Sequence, residues 1–203
     1  MTTTAAVSGS RYDARTIVQG GIQLGAVTAA GVVLFSLLSR AMAGTLESVA
    51  QSAIVLAGGA VVTFWPAAMV RPRDVDTIGW TTLLAYVGTV TFTILDIAIL
   101  RPLGVYHWTW DAIGGGSGFW YISVWWMGGT FLSWMGAWVY AIETARGSPP
   151  VARLAAASVV LALVLFVVVS GVAGRLHPAY AALGYAVSAV IGVPLAAFLG
   201  GRK

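Results

Sequence analysis

Six stretches of this chain, roughly residues 16–38, 48–70, 78–100, 119–145, 154–173 and 179–199, stay mostly apolar for long enough to cross a bilayer. About 20 apolar residues in a helix rise roughly 30 Å, the thickness of the hydrocarbon core. The rest of the chain cannot cover such runs with a soluble surface. Of its 203 residues, 59% are hydrophobic and only 9% charged, where a soluble domain carries about a quarter charged residues. Strand-type alternation is absent over these lengths, which argues against a β-barrel. The expected fold is all-α: one polytopic transmembrane bundle of six helices over residues 1–203, a multi-pass protein of the cell membrane.

The basic residues orient the bundle. With six spans, the N-terminus, the 71–77 loop, the 146–153 loop and the C-terminus share a side. That side holds Arg11, Arg15, Arg71, Arg73, Arg146, Arg153, Arg202 and Lys203, and the other holds Arg40, Arg101 and Arg175. Positive residues favour the cytoplasmic side, so both termini are expected inside. Ala41-Met42-Ala43 resembles a signal-cleavage site. The apolar run before it is longer than the ~7–15 residues of a signal peptide, so the first helix is expected to be retained.

Several chemistries are excluded or weakened. There is no cysteine, hence no disulfide, thiolate metal site or cysteine nucleophile. The arginines are dispersed between apolar segments, which is not a nucleic-acid pattern. His107 and His177, the two histidines, fall in outer loops, which fits neither a membrane haem nor a known metal-ligand spacing. The Gly114–Gly116 run lacks the strand and the Lys-Ser/Thr of a phosphate-binding loop. No cofactor is named by the sequence.

What remains is a polar stripe ending in an acid. Thr82, Tyr86, Thr89, Thr93 and Asp96 are spaced by three and four, which sets them on one helix face. A charge at membrane depth costs several kcal/mol without a partner or a water-filled cavity, so this face is expected to look into protein or a pocket. The fourth helix carries a second stripe of Ser123, Trp126, Thr130, Ser133, Tyr140 and Thr144. Antiparallel third and fourth helices would bring the two stripes together near the outer surface. Seven of the nine tryptophans fall between Trp108 and Trp138. Trp108, Trp110 and Trp120 suit an interfacial belt; Trp125, Trp126 and Trp134 lie deeper, where they either pack between helices or line a pocket.

Above these helices the outer loop carries Arg101, Tyr106, His107, Trp108, Trp110 and Asp111 before its glycine run. The run reads as a hinge, or as a lid over an Asp96 pocket. Arg101 stands five residues after Asp96, as its ion-pair partner or as a helix cap. Asp96 is thus the candidate catalytic residue. Tyr86, Thr89, Thr93, Arg101, Tyr106, His107, Trp108, Trp110, Asp111, Ser123, Trp126 and Thr130 are the candidate substrate-binding set.

Elsewhere the expectations are structural. Gln19 and Gln23, beside Gly21 and Gly25, are expected to serve helix packing. The run Arg71-Pro72-Arg73-Asp74-Val75-Asp76 is expected to form local ion pairs and meet lipid headgroups. Glu143 should snorkel to the interface or pair with Arg146, the aliphatic fifth helix should face lipid, and the sixth should pack through small residues with a kink at Pro194.

The stretch from Asp96 to Trp134 resembles integral-membrane carotenoid hydratases and lycopene-cyclase-like proteins. There an acid late in one helix is followed by a Gly-x-Tyr-x-aromatic turn and a tryptophan-bearing helix. Here these are Asp96, Gly104-Val105-Tyr106-His107-Trp108, and Trp125 with Trp126. The resemblance implies acid-initiated chemistry on an isoprenoid double bond with Asp96 as proton donor. Read from the residues alone, the same features suit transport of a small aromatic or cationic solute. They also suit a non-catalytic subunit that binds pigments, lipids or partner helices. The partners in view are membrane lipids, a hydrophobic or aromatic small molecule, and other membrane subunits.

Overall fold

The computed structural model describes residues 13–105, 120–147 and 151–199, with side chains from 126 onward in the fourth helix. Six helices account for nearly all of these: α1 (Ala14–Ala41), α2 (Gly44–Val70), α3 (Val75–Leu100), α4 (Trp120–Ala145), α5 (Val151–Ala173) and α6 (Pro178–Leu199). Their bounds lie within a few residues of the apolar runs. Five of them, all but α4, are long and apolar enough to cross a membrane. α4 has 26 residues, and tryptophan, tyrosine, serine, threonine and glycine interrupt its aliphatic content.

Local chemistry fixes the helix starts. The Asp13 carboxylate accepts from the Arg15 amide and opens α1. Asp74 accepts from the Thr77 amide and hydroxyl, both at 2.8 Å, while the Asp74 amide donates back to the Thr77 hydroxyl, a reciprocal cap on α3. The Asp74 carboxyl is held below its ordinary value of 3.8, first by the Thr77 backbone bond and then by the Thr77 hydroxyl. This acid therefore serves as a helix cap, where sequence reasoning expected local ion pairing. His177 caps α6 by accepting from the Ala179 amide, with Pro178 in the first turn.

α2 is the central helix, touching each of the other five. Two features of its sequence make that possible. Pro66 is buried inside it and has no amide hydrogen, which deprives the Val62 carbonyl of its normal helical donor. The Ser133 hydroxyl of α4 supplies the missing bond at 2.6 Å. A Cβ on Gly59 would lie 2.6 Å from the Tyr185 ring of α6, so only glycine lets that ring lie flat on α2. The Tyr185 hydroxyl then donates to Thr63 at 3.0 Å. In a bundle whose core is no more apolar than lipid, such close approaches and interhelical hydrogen bonds supply much of the specificity.

The glycines of α1 act as expected, while its glutamines do not. Cβ atoms on Gly21 and Gly25 would meet Val87 at 2.5 Å and the Gly88 carbonyl at 2.7 Å, so α1 and α3 run parallel in close contact. Gln19 and Gln23 lie on the opposite, exposed side, because the glycines occupy the packing face. α5 presents Val160, Val164, Val167, Val168 and Val172 outward, as its aliphatic sequence suggested. α6 packs through Gly184 against the Ala162 carbonyl. Its deviation comes ahead of Pro194, as a π-helical turn over Ser188–Gly192, a local widening by which helices accommodate proline. The Ser188 hydroxyl at that turn donates to the Ser158 carbonyl of α5 at 2.8 Å.

Candidate functional site

The last turn of α3 departs from α-helical geometry. Asp96–Leu100 forms a π-helical turn, closed by the Arg101 amide donating to the Asp96 carbonyl at 3.0 Å. The consequence is chemical. On an ideal α-helix, residues five apart point about 140° away from each other. An i-to-i+5 bonded turn stacks them instead. Here the Arg101 Nε reaches the Asp96 Oδ2 at 3.2 Å. Asp96 is fully buried, and Arg101 is 34% exposed, so the charge of a sequestered carboxylate is matched by a guanidinium that still reaches the surface. Of the two roles open to Arg101, ion-pair partner and helix cap, the structure has both: its side chain pairs with Asp96 and its backbone amide caps the turn.

The segment after the turn is tied to α1. The Arg40 guanidinium donates to the Gly104 and Val105 carbonyls at 2.8 and 2.7 Å, and the Ser36 hydroxyl also donates to Val105. Leu100 and Val105 join Ala29, Phe92 and Leu95 in a small apolar cluster at the same end. The Asp96 turn is therefore fixed from two sides, by its own helix and by α1.

The two polar stripes do meet. The Trp126 indole Nε1 donates to the Thr93 hydroxyl at 2.9 Å, and Thr93 donates on to the Thr89 carbonyl at 2.8 Å. The edge of one aromatic ring meets the face of another where Tyr86 packs on Trp126, with centroids 5.5 Å apart at 81°. Between them a Cβ on Gly129 would lie 2.8 Å from the Thr89 methyl, so the helices close tightly there. Ascending α3 thus pairs with descending α4, as antiparallel neighbours must. The α4 stripe divides, however. Trp126 and Thr130 face α3, whereas Ser133 turns to α2 and Tyr140 joins a cluster with Phe64, Val139 and Leu154. Pro66 draws Ser133 away, a signal present in the sequence four residues after Val62.

Towards the middle of the helices the α3–α4 contact opens into a groove of about 720 Å³, lined by Thr82, Tyr86, Trp126, Met127, Gly128, Thr130, Phe131 and Trp134. Its walls are aromatic and apolar, and Tyr86, Phe131 and Trp134 are each partly exposed along it. Phe131 and Trp134 stack with centroids 5.9 Å apart. The Thr130 hydroxyl is buried without a hydrogen-bond partner. It differs in this from Thr82, Thr89, Thr91 and Thr93, whose hydroxyls all donate to carbonyls of their own helix. Met127 and Phe131 were not among the candidate binding residues, and Trp134 was weighed only as packing between helices or lining a pocket. They lie off the polar stripe, and a search guided by polarity passes over an apolar site.

The candidates therefore fall into three groups. Asp96, buried, and Arg101, partly exposed, form the ion pair, with Thr93 bonded to Trp126 a turn below it and Thr89 packed beside it. Tyr86, Trp126 and Thr130 line the groove. Tyr106, His107, Trp108, Trp110 and Asp111, and with them the proposed lid, lie outside the described residues; so does the side chain of Ser123, whose backbone belongs to the first turn of α4. At the opposite end, Glu143 pairs with Arg146 at 3.0 Å, and Arg146 also donates to the Ala197 carbonyl at the end of α6.

No family model, curated protein or solved structure shows significant similarity to this chain.

Proposed function

We propose that this chain is a six-span protein of the cell membrane, with both termini cytoplasmic, that takes a lipid-like or isoprenoid molecule into the groove between α3 and α4. The observation that carries this reading is the groove itself. It is open at the side, walled by Tyr86, Trp126, Phe131 and Trp134, and cut between α3, which is long and apolar enough to cross a membrane, and the 26-residue α4. Ligand sites are typically concave and mostly apolar with a few polar groups, and a flat polyene or an acyl chain suits stacked rings better than a hydrated solute would. The arginine partition supports the orientation.

Acid-initiated chemistry on that molecule is the second reading, favoured by the full burial of Asp96 one turn above Thr93. It requires Asp96 to leave Arg101 and hold a proton, since an ion pair needs the carboxylate and a proton donor needs the acid. Asp96 is also absent from the groove wall. The geometry thus favours binding over catalysis, with Asp96 and Arg101 holding the end of α3 in place above the bound molecule.

The test is energy transfer from tryptophan to retinol, a conjugated isoprenoid whose absorption overlaps tryptophan emission. Purified protein in lipid nanodiscs should show saturable quenching, weakened several-fold by replacing Trp134 with alanine. Quenching that rises linearly with retinol, as in protein-free partitioning, would refute the groove as a site. Asp96→Asn should leave that binding intact; if product forms from an isoprenoid alkene in the parent and not in this variant, the catalytic reading replaces the binding one.

A further inference from the structure

α1 is a peripheral helix, packed on α3 and α2. Its buried residues, Ile17, Gly20, Gly21, Leu24, Gly25 and Ala29, form one face. The opposite face carries Gln19, Gln23, Ala26 and Ala30, all exposed, at the four-three-four spacing that aligns side chains along a helix. Neither glutamine hydrogen-bonds within the described residues. Gln23 lies about 12 Å further along the helix than Arg15 and about 26 Å short of Arg40, taking 1.5 Å per residue. If the two arginines mark the membrane surfaces, its amide stands in the hydrocarbon, where an unsatisfied polar group costs several kcal/mol. Lipid tails offer it no partner.

We propose that this face binds a second copy of the chain, α1 against α1, through Gln19 and Gln23. A primary amide carries both a donor and an acceptor, so it is complementary to itself. A two-fold axis along the membrane normal sets each glutamine opposite its own copy, as a symmetric dimer requires. A charged partner would call for an opposite charge within the bilayer, and from Gln19 to Ala30 this face has none; Arg15, one turn before Gln19, stands at the membrane surface. Ala26 and Ala30 lie directly along the stripe from Gln23, and small residues there let two helix backbones approach closely. The groove is formed by α3 and α4, so dimerisation leaves it open, and the inference stands apart from the proposed ligand.

The chain contains no cysteine, so single cysteines report cleanly. Ala26→Cys and Ala30→Cys, oxidised in native membranes, should give a disulfide-linked dimer of twice the monomer mass. Val164→Cys on the exposed face of α5 should not. In nanodiscs or liposomes diluted with lipid, the double variant Gln19→Leu, Gln23→Leu should weaken association roughly tenfold, the scale of two interhelical amide bonds in a membrane. The variant Gln19→Asn, Gln23→Asn, which keeps the amides, should retain most of it. Far-ultraviolet circular dichroism of each variant, unchanged from the parent, separates lost association from lost fold. Equal cross-linking at α5, a parent monomeric at all lipid dilutions, cross-links to a different protein alone, or undiminished association of the leucine variant would each overturn the proposal.

Discussion

The Trp126–Thr93 hydrogen bond sets the register of α3 against α4, and with it the groove, so it is the first place to perturb. Trp126→Phe removes the indole N–H and keeps most of the ring that meets Tyr86. Thr93→Val removes the accepting hydroxyl at nearly constant shape. The bond is 2.9 Å long, and its acceptor is polarised by donating to the Thr89 carbonyl at 2.8 Å. Interhelical side-chain bonds in membrane proteins average about 0.6 kcal/mol by double-mutant cycles, with an upper end near 1.7. With its acceptor polarised in a relay, this bond belongs in the upper half of that range, so a coupling of about 1 kcal/mol is expected. Trp126→Phe alone should cost about 1–2 kcal/mol, since it loses ring volume as well as the bond. Thr93→Val alone should cost about 1 kcal/mol, with the indole N–H left without its acceptor. The assay is reversible unfolding in mixed micelles followed by far-ultraviolet circular dichroism, on the parent, both single variants and the double variant. Trp134→Phe combined with Thr93→Val serves as the control. Trp134 lies two turns further along α4, about 12 Å from Trp126, and sites that far apart should add within about 0.5 kcal/mol. A Trp126–Thr93 coupling below about 0.3 kcal/mol would refute the register argued for α3 and α4.

Three further outcomes follow from the packing. Gly136→Ala drives a Cβ into the Thr63 carbonyl of α2, with the Thr63 methyl 2.8 Å away; because backbone must move, it should destabilise the bundle by about 1–3 kcal/mol, whereas Gly128→Ala, which meets open space, should be near neutral in the same unfolding assay. Arg101→Gln removes the guanidinium facing the fully buried Asp96 and should cost about 2–4 kcal/mol, and adding Asp96→Asn should recover part of that loss, which a thermal-shift comparison of the three variants checks. Asp74 titrates below its ordinary 3.8 because the folded state hydrogen-bonds its ionised form; the stability it contributes is present above the unfolded value and lost as pH falls through the lower folded one. The gap in stability between parent and Asp74→Ala should therefore be constant near neutral pH and close below about pH 4, as read by unfolding at a series of pH values.

Much of the architecture was legible in the amino-acid order, because a bilayer reduces the problem to length and polarity. The helix bounds, a close helix approach at Gly21 and Gly25, and the meeting of the α3 and α4 stripes follow from spacing, and the Glu143–Arg146 pair was one of two readings of that acid; that α3 is the helix packed on those glycines, in parallel, does not follow. The prominence of Asp96, an acid in an apolar run, was legible as well. Other features were present but read wrongly or passed over. Pro66 removes the donor for Val62 and so takes Ser133 for α2, which splits a stripe that spacing alone had kept whole. Gln19 and Gln23 were expected to serve helix packing beside their neighbouring glycines, yet a rotation of 100° per residue sends Gly20 and Gly21 inward and the amides outward.

The sequence by itself determined that this chain must be a helical membrane bundle, since no other fold satisfies so many apolar runs with so few charges. Tertiary structure alone decided what Asp96 faces. Whether residues 96 and 101 can touch depends on a single π-helical turn, a deviation in backbone hydrogen bonding that no side-chain spacing records. The groove is likewise a property of two helices, closed at Gly129 and open between Tyr86 and Trp134. Its volume arises from where their surfaces part, and one chain read in order does not contain that distance.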